Sequence, residues 1–183
     1  YARPDTFSLG VCNGCQLMAL LGWVPFKGLP ERNQPRFVHN TSGRFESRWI
    51  QVEILPSPSI LLSGMAGSKL GAWVAHGEGR LFYPNTRIEQ EVRDHNLAPL
   101  VYIDPYGNRT EKYPYNPNGS PDGITGLCSH DGRHTAIMPH PERCFRLWQW
   151  PWKPPAWESL ETSPWLQMFQ NARTWCMEHQ AED

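Results

Sequence analysis

The sequence predicts an α/β fold, and three stretches carry the prediction. Thr6 to Gly22, TFSLGVCNGCQLMALLG, reads as a buried strand, a tight turn at Gly10-Val11-Cys12-Asn13-Gly14 and a buried helix almost free of polar residues. Ile50, Val52 and Ile54 alternate with Gln51 and Glu53 as in a half-buried strand. Trp165, Met168, Phe169, Ala172, Trp175 and Cys176 recur at helical spacing near the end of the chain, a stripe that reads as core packing.

Composition bounds the rest. A length of 183 residues and a mass of 21.0 kDa suit one domain, 1–183. A net charge of -1 gives no electrostatic case for nucleic acid or a membrane surface as partner. Five scattered cysteines, an odd number, suit a reducing compartment. No apolar run approaches the ~18 residues of a membrane span, so a cytoplasmic location is expected. Eighteen prolines and nine tryptophans imply long ordered loops and a surface that docks on something.

In chain order, the first strand should be central in a parallel sheet, with partners on both sides. Residues 23–43 carry Pro25, Gly28, Pro30, Pro35 and Gly43 and read as a loop. Arg44 to Leu55 is extended, and Ile60 to Met65 is a short helix. Leu70 to His76 and Arg80 to Tyr83 are strands separated by His76-Gly77-Glu78-Gly79, which leaves His76 and Glu78 at a strand end where ligands often bind. Thr86 to His95 is a helix with a Thr86-x-x-Glu89 capping box and an exit at Asn96. Pro99 to Asp104 is a strand, and 105–121 is a loop dense in turn residues. Ile124 to Cys128 and His134 to Met138 form a hairpin. Pro139 to Arg143 should be stiff and extended, projecting His140 and Glu142 to one side. Phe145 to Pro155 is too irregular for a core element. The closing helix takes Ser163 as N-cap and Pro164 as its first residue.

Cys12 is the first candidate nucleophile. It is bracketed by glycines two before and two after, the pattern of a nucleophile elbow. A thiol at a helix N-terminus lies near backbone N–H groups that favour thiolate. From this stretch alone, Cys12 and Cys15 also read as a redox C-x-x-C, as half a zinc site or as inert buried cysteines. His140 with Glu142 offers such a thiol a base and a group to orient it, and reads equally as a solvated pair in a proline-rich turn.

The elbow GVCNGCQ and the late HPE resemble the class I glutamine amidotransferases, whose Cys-His-Glu triad has a G-x-C-x-G-x-Q elbow and a late His-x-Glu. Five ordered motifs, GVCNGCQ, NTSGRFESRW, AHGEGR, NPNGSPDGI and MPHPER, are similar to the C-terminal glutaminase domains of the large-type phosphoribosylformylglycinamidine synthase family, over essentially the whole chain. The resemblance implies a three-layer α/β domain hydrolysing L-glutamine. Cys12 is then the nucleophile, His140 the base and general acid, and Glu142 its orienting carboxylate. The Asn13 backbone N–H contributes to the oxyanion hole, and Gln16, His76 and Glu78 line the substrate. It implies no cofactor and no metal at this site. ATP and magnesium belong to a synthetase portion of the same polypeptide, absent from this sequence, which converts formylglycinamide ribonucleotide to the amidine.

Family domains carry about half a sheet before the elbow, with a glycine-rich loop completing the oxyanion hole. This sequence is expected to lack that part of the sheet and to be weak or inactive as an isolated glutaminase. Two other functions compete: a docking module using the Trp/Pro-rich segment, and a stand-alone thiol hydrolase of the same fold.

Overall fold

A computed structural model describes residues 1–179. The expected 1–183 boundary therefore reaches past the described residues. The architecture is mixed α/β. Eight strands, β1 (Ser8–Val11), β2 (Arg36–His39), β3 (Glu46–Ile54), β4 (Lys69–His76), β5 (Glu78–Phe82), β6 (Leu100–Ile103), β7 (Gly126–Cys128) and β8 (His134–Ile137), accompany three helices. These are α1 (Asn13–Leu20), α2 (Thr86–Asp94) and α3 (Leu166–Glu178).

The strands form sheets ordered β1-β8-β7, β4-β3-β6 and β2-β5. Among the described residues only β1 and β8 pair in parallel, with Ser8 opposite His134 and Val11 opposite Ile137. The other ladders are antiparallel, and β1 pairs on one side only.

Alternation along β1 and β8 separates two cores, as a period of two requires. Phe7, Leu9, Val11 and Ile137 pack with Trp165 and Met168 around α3, and with Ile50, Val52, Ala72 and Val74 of β3 and β4. Ala136 and Met138 face the other way, onto Cys15, Met18 and Ala19 of α1, Phe37 and Leu81. The sheet thus lies between α3 and α1, giving three layers.

Several sequence expectations need correction. Residues 23–43 contain strand β2, whose four residues RFVH are obscured by the prolines around them. Helix α1 is only half buried: Leu17 and Leu20 are about half exposed at 54% and 53%, as is Leu21 just past its end at 51%. The N-cap of α2 is Asn85, whose side chain accepts from the Arg87 N–H at 2.8 Å, so the capping box at Thr86 does not form. Ser163 Oγ accepts from the Trp165 N–H at 3.2 Å, as a cap would, but the α3 helix starts at Leu166 rather than Pro164. Its apolar stripe is buried at Trp165 and Met168 and runs out at Cys176, which is exposed. Leu147 is buried within the Trp/Pro segment, and Trp150 and Trp157 pack on the α3-side core.

Candidate functional site

The site begins where β1 becomes α1. Cys12 occupies that junction with φ 55° and ψ −108°, a conformation that costs an L-residue roughly 1–3 kcal/mol. Ladder geometry holds it there. The Cys12 N–H donates to Ile137 O at 2.9 Å, continuing the β1–β8 pairing, and Cys12 O accepts from the Gln16 N–H at 3.1 Å, starting the helix. The turn also needs glycine at position 10, because a side-chain carbon there would collide with Met18 Sδ and the Gly14 carbonyl. The thiol is partly exposed, and Sγ lies 3.6 Å from Ala75 O, at the end of β4.

Cys15, one turn along, is a different kind of thiol. It is fully buried against the α1-side core, and burial, helped by charge at Cys12, pushes its pKa well above the usual thiol range. Only Cys12 of the two is accessible to a substrate. Among the described residues all five cysteines are free.

His140 lies three residues past the end of β8 and faces the same junction. Its backbone N–H donates to Trp73 O at 2.8 Å, fixing it beside β4. Pro141–Arg143 forms a 3-10 turn, so the expected extended segment is wrong. The proline starts the turn, and the turn folds Glu142 back onto its neighbour: His140 Nδ1 and Glu142 Oε1 are 2.6 Å apart. Arg143 Nε stands 3.5 Å from the same carboxylate oxygen.

His140 is buried, and burial alone would lower its pKa. Contact with Cys12 and the bond to Glu142 outweigh burial and raise it to about 9. The imidazole is therefore charged at neutral pH. Its Nε2 is buried and has no hydrogen-bond partner of ordinary geometry.

The other expected residues divide. Gln16, one turn from Cys12, donates from Nε2 to Glu78 Oε2 at 3.2 Å and to Phe37 O at 3.3 Å. His39 Nδ1 lies 3.3 Å from the other Glu78 oxygen. Glu78 lines an open cleft of about 400 Å³ with His39, Asn40, Arg44 and Phe45. Asn13 opens α1, which puts its backbone N–H at the helix N-terminus beside the thiol. His76 turns away from solvent: it is 3% exposed, and its Nε2 lies 3.3 Å from Asn118 Nδ2. Burial, with the charge of His140 second and Glu46 opposing, lowers its pKa to about 4. His76 is thus an interior residue.

Glu46 is a buried carboxylate that the sequence reading did not single out. It is 1% exposed, pairs with Arg48 and lies opposite His76 in the β3–β4 ladder. The NTSGRFESRW motif that contains it was the available signal.

The α/β domain thus carries a strand-end cysteine and a histidine–glutamate pair just past two neighbouring parallel strands. Residues 1–176 match the family model of the CobB/CobQ-like glutamine amidotransferase domain, and the chain belongs to that family. It is 61% identical over 180 residues to a protein of Arabidopsis thaliana named as a probable phosphoribosylformylglycinamidine synthase, chloroplastic/mitochondrial. It is 55% identical to the phosphoribosylformylglycinamidine synthase of Dictyostelium discoideum and 54% identical to that of Homo sapiens. Each alignment covers 96% of this chain and only 13–14% of the relative, so the chain spans about an eighth of the curated proteins it matches. A solved structure of PurLQS from Thermotoga maritima shares the fold, with a TM-score of 0.63 at 20% identity, over 91% of this chain and 60% of that one.

Proposed function

We propose that residues 1–183 are the C-terminal glutaminase portion of a phosphoribosylformylglycinamidine synthase, releasing ammonia from L-glutamine through Cys12, His140 and Glu142. One observation carries the reading: the only partly exposed thiol of the Cys12–Cys15 pair sits at a positive-φ strand–helix junction near a histidine whose Nδ1 lies 2.6 Å from a carboxylate. The identity to relatives named as this synthase supports the choice of parent enzyme.

In the proposed reaction the Cys12 sulfur attacks the side-chain amide carbon of glutamine. The Asn13 N–H at the start of α1 stabilises the oxyanion, a contribution worth about 3 kcal/mol per donor. His140 passes a proton to the departing ammonia, while Glu142 keeps the ring oriented. Water, deprotonated by His140, then cleaves the γ-glutamyl thioester. Glu78, tied to Gln16, supplies a carboxylate for the substrate α-ammonium. The mechanism uses no metal at the triad. ATP and magnesium serve the synthetase portion, where ammonia converts formylglycinamide ribonucleotide to formylglycinamidine ribonucleotide in purine biosynthesis. The cytoplasm is the proposed location, and the Arabidopsis relative's name places that protein in chloroplast and mitochondrion instead. Among the described residues no helix is long and apolar enough to cross a membrane.

In the full-length synthase, Cys12→Ala should abolish glutamine-dependent synthesis, by at least 10³-fold, and leave synthesis from added ammonia intact. Loss of both activities would contradict the assignment. A second reading draws on Trp148 and Trp152, 78% and 68% exposed, as a docking face toward the synthetase portion. It is compatible with catalysis at Cys12.

A further inference from the structure

Glu78 opens β5, which belongs to a different sheet from β4, and only Gly77 separates it from His76 at the end of β4. Ladder pairing reaches Glu78 through His39, just where the β2–β5 register shifts, and His76 through Glu46. Two buried asparagines from loops add further bonds. Asn40, 4% exposed, donates from Nδ2 to His76 O at 2.8 Å and accepts on Oδ1 from the Gly79 N–H at 3.0 Å. Its own backbone N–H donates to Gly77 O at 2.9 Å. Asn118, fully buried, donates from Nδ2 to Gly79 O at 2.8 Å and to Tyr102 Oη at 3.0 Å, with His76 Nε2 at 3.3 Å.

The backbone groups on both sides of Glu78 are therefore held by side chains or loop amides rather than by the ladder alone. The loop carrying Asn118 is itself locked: the Ser120 N–H donates to Asn118 Oδ1 at 3.0 Å, Ser120 Oγ accepts from the Leu81 N–H at 2.9 Å, and Thr41 N–H donates to Asn118 O at 3.1 Å. Packing agrees. A side-chain carbon at Gly79 would strike the His76 ring and come within 3.0 Å of Asn118 Nδ2, so glycine at 79 makes room for the clamp. The run Ala75 to Glu78 touches the Cys12 thiol at one end and presents the carboxylate at the other.

We infer that Asn118 and Asn40 are positioning residues for glutamine: they hold Glu78 at a fixed distance from Cys12 by gripping the backbone on either side of it. The inference rests on the glutaminase reading and adds the source of its substrate selectivity. An apolar replacement of Asn118 removes both donors and leaves Gly79 O only the longer bond from Ser120 Oγ at 3.4 Å.

The test uses the full-length synthase, with Cys12→Ala alongside to establish the reading itself. Asn118→Ala should raise KM for glutamine about tenfold or more, with kcat within about twofold, and leave synthesis from ammonia unchanged. It should also slow inactivation by a diazo-ketone glutamine analogue while iodoacetamide, which has no α-ammonium, alkylates Cys12 at the parent rate. If Asn118→Ala does not accumulate as folded enzyme, the isosteric Asn40→Asp carries the same criteria; it keeps the acceptor for Gly79 N–H and loses the donor to His76 O. An unchanged glutamine KM in the folded variant overturns the inference. So does an equal slowing of both alkylators, which would mean general damage. If Cys12→Ala retains glutamine-dependent synthesis, the glutaminase reading itself has failed.

Discussion

The thiol side of the site and its carboxylate side are built by different means. On the thiol side, Cys12 and His140 sit just past the ends of two parallel neighbours, and ladder bonds plus one positive-φ residue place them. On the carboxylate side, Glu78 follows a one-residue crossover, meets its ladder at the irregular His39 position, and is held further by asparagine side chains from two loops. Regular pairing fixes backbone cheaply over many residues, whereas the amide clamp concentrates the same task in two side chains. Chemistry at the thiol should thus respond to charge and backbone changes, and recognition at Glu78 to loss of single hydrogen bonds.

The comparison breaks most sharply at Glu142. Glu142→Gln removes the charge that faces His140 Nδ1, and kcat for glutamine hydrolysis should fall roughly 10²-fold with KM little changed. The sign of the pH effect follows from the raised pKa. His140 near 9 in the folded state, against an ordinary value of 6.5, adds stability that is complete below pH 6.5 and lost as pH rises through 9. Denaturant midpoints between pH 6 and 10 should fall across that window in the parent and fall less in Glu142→Gln. An equal slope in both would remove Glu142 from the account.

A smaller effect separates the two glycines that flank Cys12. Gly10→Ala would collide with Met18 and the Gly14 carbonyl, and should cost roughly 2–3 kcal/mol of unfolding free energy. Gly14 has open space where its Cβ would sit and lies inside α1, so Gly14→Ala should be neutral or favourable by about 0.5–1 kcal/mol. Equal losses would mean that the bracket acts as a symmetric unit after all.

The same division governs what the sequence revealed. Cys12, His140 and Glu142 stand out as candidates because glycine spacing and a proline-bounded His-x-Glu are local patterns, and the β1, β3, β4 and β8 strands announce themselves through alternation or apolar runs. The geometry of His140-Pro141-Glu142 was not legible, since proline starts a 3-10 turn as readily as it stiffens an extended segment, and hydrogen bonding across the turn decides. Burial of α1 was overstated because an apolar helix gives no sign of which face finds a partner. Asn118 sits in a stretch that reads as turn residues, and only the fold brings it to Gly79, 39 residues away. The burial of His76 is likewise set by neighbours distant in sequence, Asn118 among them.

The central claim is that Cys12 is the nucleophile and Cys15 a buried spectator. The most direct measurement is peptide mapping by mass spectrometry after the full-length synthase reacts with a diazo-ketone glutamine analogue. One adduct per chain on Cys12, absent in Cys12→Ala, is the predicted result. An adduct on Cys15, or labelling undiminished in Cys12→Ala, would contradict it.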